Sequence, residues 1–77
     1  MNVIEIWQPR WKDRKVLISI YKVAEHNLIK FTKTPSLRGK YFRMSGKKMR
    51  TYPVTTNGKI KCYEVPLADL EEVVLNE

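Results

Sequence analysis

His26 is the only histidine and Cys62 the only cysteine in a chain of 77 residues, which removes the commonest ways of building a catalytic or metal centre. A lone cysteine makes neither an intramolecular disulfide nor a thiolate zinc site, and a lone histidine completes no common His-based ligand set. Ser19, Ser36 and Ser45 stand in no nucleophile-elbow pattern, and His26 falls beside Asn27 in a polar turn. Gly39, Gly46 and Gly58 are too scattered to cradle a phosphate. No catalytic residue, metal ligand or cofactor is therefore assigned, and the chain reads as non-enzymatic. Cys62, alternating with Ile60, reads as a small core residue and not as a reactive thiol.

What the residues do offer is binding chemistry. Fifteen Lys/Arg against eight Asp/Glu give a net charge of +7, a bias toward an anionic partner. The bias is concentrated: between Glu25 and Glu64 lie ten Lys/Arg and no acid, whereas Glu64, Asp69, Glu71, Glu72 and Glu77 close the chain with no base among them. Aromatic rings fall inside the basic stretch. If Phe42 and Met44 point inward on one strand, Tyr41 and Arg43 point outward, and if Ile60 and Cys62 point inward on another, Lys61 and Tyr63 do the same. Tyrosine alternating with cations on a sheet face is the combination that binds single-stranded nucleic acid, with Tyr41 and Tyr63 stacking and Arg43, Lys47, Lys48, Arg50 and Lys61 meeting phosphates. A Lys-rich outer face is also ordinary solubility design and edge protection, so the solvated-face reading stands beside it. A separate cluster, Trp7-Gln8-Pro9-Arg10-Trp11, places two indoles and a guanidinium within five residues. Trp7, in line with a strand, reads as a lid on one end of the core. Arg10 and Trp11 read as a protein-interaction hot spot.

These residues must be positioned by a small core, because a chain of this length forms one domain, residues 1–77, with room for little else. Hydrophobic residues at 43% and charged residues at 30% are a globular balance. The start carries no basic and apolar leader, and the longest aliphatic run, Val16-Leu17-Ile18, is far short of the ~20 residues that span a bilayer. A soluble cytoplasmic protein without membrane contact is the expectation.

Alternation and turn residues predict short strands. The segment 15–23 is apolar on both faces and predicts a central strand, and 28–33 alternates with Ile29 and Phe31 inward, the two forming a hairpin. Residues 34–39 predict a loop and 40–44 a third strand. Ser45 can cap a single helical turn over 45–50, or Ser45-Gly46 can turn into another strand; the helical turn is the reading adopted. Asn57-Gly58 predicts a two-residue type I′ turn in a second hairpin. After Pro66, Leu67, Leu70 and Val74 share a helical stripe and predict a short C-terminal helix over 67–75. With a further strand at 3–7, about six strands and one helix predict a mainly β fold, a small antiparallel β-barrel or roll.

Glu5-Ile6-Trp7-Gln8-Pro9-Arg10-Trp11-Lys12-Asp13-Arg14, with Ile29-Lys30-Phe31-Thr32-Lys33, Tyr52-Pro53, Thr56-Asn57-Gly58-Lys59-Ile60 and Cys62-Tyr63-Glu64-Val65-Pro66-Leu67, resembles a family of small uncharacterised proteins. That family is carried on conjugative transposons and related mobile elements of Gram-positive bacteria. The resemblance spans nearly the whole chain and brings no catalytic motif. It implies a setting in the maintenance or transfer of mobile DNA, and hence a nucleic acid or a DNA-processing protein as partner. Together with the residue chemistry this leaves three expected functions: a binding module for nucleic acid through the basic, tyrosine-containing face, a protein–protein adaptor working through the tryptophan segment, or an inhibitor or antitoxin-like partner of a mobile-element enzyme.

Overall fold

Residues 2–7, 13–37 and 39–74 are described by the structure, a computed structural model. Among them the chain is mainly β, with seven strands in two sheets and one short helix. The strands are β1 (Asn2–Ile6), β2 (Lys15–Ser19), β3 (His26–Phe31), β4 (Tyr41–Ser45), β5 (Val54–Asn57), β6 (Ile60–Pro66) and β7 (Glu71–Val73), and the helix is α1 (Gly46–Met49). One sheet runs β1-β3-β4-β7 and the other β2-β6-β5. No ladder joins the two among the described residues, so they do not close into a barrel, and β1 runs parallel to β3 while every other pair is antiparallel.

The core lies between the sheets because each turns its β-branched and aromatic side chains to the other. Ile4, Ile29, Phe31, Phe42 and Met44 come from the first sheet and Val16, Ile18 and Val65 from the second, as one cluster. Phe31 and Phe42 meet edge to face, with centroids 5.6 Å apart. Leu37, Met49 and Leu70 plug the cluster from the connections, so the predicted loop at 34–39 is anchored by a 3-10 turn at Pro35–Leu37. Complete burial of a side chain such as Ile18 or Ile29 contributes about 1.5–3 kcal/mol.

Three expectations are corrected. First, β2 and β3 form no hairpin: β2 pairs with β6, while β3 lies between β1 and β4 in the other sheet. The strand stops at Ser19, and a 3-10 turn at Ile20–Lys22 carries the chain across. Beyond that turn, Asn27 fixes the crossover. It is 4% exposed, its Oδ1 accepts from Ala24 N at 2.8 Å and Asn2 Nδ2 at 2.7 Å, and its Nδ2 donates to Ala24 O and Met44 O. β2 is thus an edge strand and not a central one.

Second, the β5–β6 hairpin forms, but Asn57 faces Ile60, so its loop is Gly58-Lys59 and not Asn57-Gly58. Gly58 alone has positive φ, +65°, the sign pattern of a type II′ turn. The facing of β6 also differs from expectation. Val65 lies opposite Val16 and Tyr63 opposite Ile18, so Tyr63 and Val65 face the core, and Ile60, on the other face, is 51% exposed. A one-residue slip reverses every side chain of a strand, and burial against β2 decides which choice is made. Cys62 is buried even so, outside the main cluster and beside the Ile20–Lys22 turn.

Third, the C-terminal helix is absent among the described residues. Leu67–Asp69 is a 3-10 turn, Leu70 is extended and buried, Glu71–Val73 is strand β7 on the edge of β4, and Val74 is 78% exposed. A helix this short is marginal in water, whereas the open edge of β4 supplies backbone partners and complementary charge. The helical turn after β4 is present: Ser45 Oγ accepts from Lys48 N at 3.1 Å as the cap of α1.

Candidate nucleic-acid interface

β4 carries Phe42 and Met44 inward, and therefore Tyr41 and Arg43 outward, as expected. The register then gives the outer face of the first sheet two rows, Glu5–Lys30–Tyr41–Val73 and Val3–Leu28–Arg43–Glu71. Each row holds one acid and one base, so this face is balanced in charge. Arg43 Nη2 donates to Glu71 Oε1 at 2.7 Å, and Lys40 Nζ lies 3.9 Å from Glu72 Oε1. The hydrogen bond, and then the opposite charge, raise the Arg43 guanidinium pKa and hold the Glu71 carboxyl below its ordinary value. The acidic end of the chain thus folds back onto part of its basic middle. Beside the pair lies a cleft of about 520 Å³ lined by His26, Leu28, Arg43, Ser45, Lys48 and Glu71.

The remaining cations are arranged differently. Lys47, Lys48 and Arg50 extend from α1 and its C-terminus, all exposed, and none forms an ion pair within the described residues. α1 sits against the 24–25 turn. Gly46 N donates to Glu25 O at 2.9 Å, and a Cβ at Gly46 would run into the Ala24 carbonyl oxygen. The Ile20–Lys22 turn is held by other elements: Lys22 O accepts from Asn2 Nδ2 of β1 at 2.7 Å, and the turn packs beside β6. Tyr21 is 83% exposed. In the sequence Tyr21 falls within the predicted 15–23 strand, on the face of Leu17 and Val23, with nothing local to announce the 3-10 turn.

The expected site is thus divided. Tyr41 and Arg43 lie on the charge-balanced face, with Tyr41 half-buried. Lys61 is exposed on β6, in the other sheet, and Tyr63 packs against the core and is not presented outward. Arg10 and Trp11 lie outside the described residues. Trp7 is 68% exposed and does not close the core as a lid; it borders a cleft of about 670 Å³ with Leu17, Thr55, Thr56 and Asn57. Burial pushes the Cys62 thiol pKa up, the opposite of what a reactive thiolate needs. Among the described residues no group of His, Cys, Asp and Glu could hold a metal ion, and no helix is long and apolar enough to cross a membrane. No protein family, curated protein or solved structure matches this chain.

Proposed function

We propose that this protein is a non-enzymatic binding module, of the kind mobile elements carry, that engages nucleic acid through the end of the molecule built by α1. The observation that carries the reading is the contrast between two sets of cations. Arg43 and Lys40 are answered by Glu71 and Glu72, whereas Lys47 and Arg50 are exposed with no ion-pair partner among the described residues, and Lys48, also exposed and outside any ion pair there, lies close enough to Glu71 to help hold its carboxyl down. Three exposed cations presented by one capped turn match a phosphate backbone, whose neutralisation releases counterions.

Titration of labelled single- and double-stranded DNA and RNA at two salt concentrations tests this. Affinity falls steeply with salt, and replacing Lys47, Lys48 and Arg50 together with Ala flattens the log–log slope by about 0.7 for each single-strand contact removed. An absence of binding to any nucleic acid at low salt overturns the reading.

The exposure of Trp7 favours a second function, a protein–protein adaptor working through the tryptophan segment that also holds Arg10 and Trp11. There the complex is lost with Trp7→Ala or Trp11→Ala, depends only mildly on salt, and is indifferent to the α1 cations.

A further inference from the structure

β4 turns Arg43 outward and runs directly into α1 through the cap Ser45, so that Arg43 and Lys48 flank one short connection. Both line the cleft of about 520 Å³, together with Ser45 and Glu71. The register of β7 sets Glu71 opposite Arg43, and Glu71 Oε1 accepts from Arg43 Nη2 at 2.7 Å. We infer that Glu71 is a stand-in for a phosphate: its carboxylate occupies, on Arg43 and in the cleft shared with Lys48, the place that a phosphate of the nucleic acid takes when the Glu71 side chain swings aside. The site extends the α1 cations onto β4, and so rests on the nucleic-acid reading proposed above.

A carboxylate and a phosphate offer a guanidinium the same charge-assisted hydrogen bonds, so one replaces the other without rearranging Arg43. Lys48 acts on the same carboxylate from α1, since its charge adds to that of Arg43 in holding the Glu71 carboxyl below its ordinary range. Asp69 also lines the cleft but is engaged by Tyr52, whose hydroxyl donates to Asp69 Oδ2 at 2.9 Å. The exchange is easy. The Arg43 and Glu71 side chains are 60% and 65% exposed, and an ion pair in water is weak. Rotating the Glu71 side chain leaves the backbone pairing of β7 with β4 intact. In the free protein Arg43 is already paired, so exchanging carboxylate for phosphate creates no additional ion pair, and Glu71 hides this contact from the salt dependence.

The test titrates a labelled single-stranded oligonucleotide with wild type, Glu71→Gln, Glu71→Gln combined with Arg43→Ala, and Glu5→Gln. The last removes the same charge from the same sheet face, but from β1 at the opposite edge. Glu71→Gln binds roughly 2- to 5-fold more tightly than wild type at low salt, the strength of an exposed ion pair that no longer has to be broken. Its log–log salt slope steepens by about 0.7, because Arg43 now gains a phosphate without giving up a carboxylate. Arg43→Ala in the Glu71→Gln background removes both the gain and the extra slope. Because both side chains are exposed, the variants fold as wild type does, which a melting curve checks. If Glu71→Gln gains no more than Glu5→Gln, or keeps its gain without Arg43, Glu71 is an ordinary surface charge and the stand-in role is wrong. When that result accompanies a flattened slope in the Lys47, Lys48 and Arg50 variant, the phosphate role of α1 survives without it. If neither wild type nor Glu71→Gln binds at low salt, the α1 role fails and the Glu71 site with it.

Discussion

Asn27 satisfies donors and acceptors from three parts of the chain with a single amide: Asn2, the Ala24 backbone, and the Met44 carbonyl. Asn27→Ala leaves these groups unpaired, at least one of them in a buried setting where no other partner is at hand. The expected loss of stability is about 2–4 kcal/mol, at the upper end of ordinary single substitutions. Urea unfolding measures it, and a loss below about 1 kcal/mol would mean that water replaces the network. Gly46 is constrained by space. Its hydrogen lies against the Ala24 carbonyl, a backbone atom that cannot swing aside. Gly46→Ala therefore separates α1 from the 24–25 turn and costs roughly 1–3 kcal/mol by overpacking, read from the same unfolding curves. It should also weaken nucleic-acid binding more than its stability loss explains, because the displaced α1 and its C-terminus carry Lys47, Lys48 and Arg50.

At the scale of elements, β7 shows how a segment with a helical stripe becomes a strand. Leu67 and Leu70 are three residues apart, which suits a helix, yet a 3-10 turn followed by an extended residue also buries Leu70. The choice falls to β4, whose edge offers hydrogen bonds and cations. The Arg43–Glu71 pair has a testable signature. Because the Glu71 carboxyl is held below its ordinary range, its contribution is present above the unfolded-state pKa and is lost as pH falls through the lower folded value. An NMR titration of the Glu71 side chain should show a depressed midpoint that Arg43→Ala returns toward the ordinary value. An unchanged midpoint would mean that the pair is not populated in solution. Both side chains are exposed, so the pair sets register more than it stabilises.

For the whole molecule, a net charge of +7 on 77 residues makes self-repulsion a property of the compact state. Lys47, Lys48 and Arg50 lie together on α1 and its C-terminus, which concentrates the effect. Raising ionic strength from about 0.01 M to about 0.15 M shortens the screening length from ~30 Å to ~8 Å and should raise Tm. A polyanion should do the same at far lower concentration if it binds the folded state. A Tm that falls with salt would show the Arg43–Glu71 and Lys40–Glu72 attractions outweighing the repulsion.

Much of this was written in local sequence. Alternation in β3 and β4 determined that Ile29, Phe31, Phe42 and Met44 face inward, Ser45 determined the turn that presents Lys47 and Lys48, and the separation of basic from acidic segments is visible without any structure. Propensity, capping and turn chemistry act over a few residues, so those features are legible. Partner choice is not local. Only the tertiary structure decided that β2 joins β6 and not β3, and that β6 turns Tyr63 inward in spite of its hairpin signal. It also decided that Glu71 and Glu72 neutralise Arg43 and Lys40 while the α1 cations stay free of ion pairs among the described residues. In each case the deciding energy is burial or charge pairing against a strand far away in the chain, which no window of neighbouring residues contains.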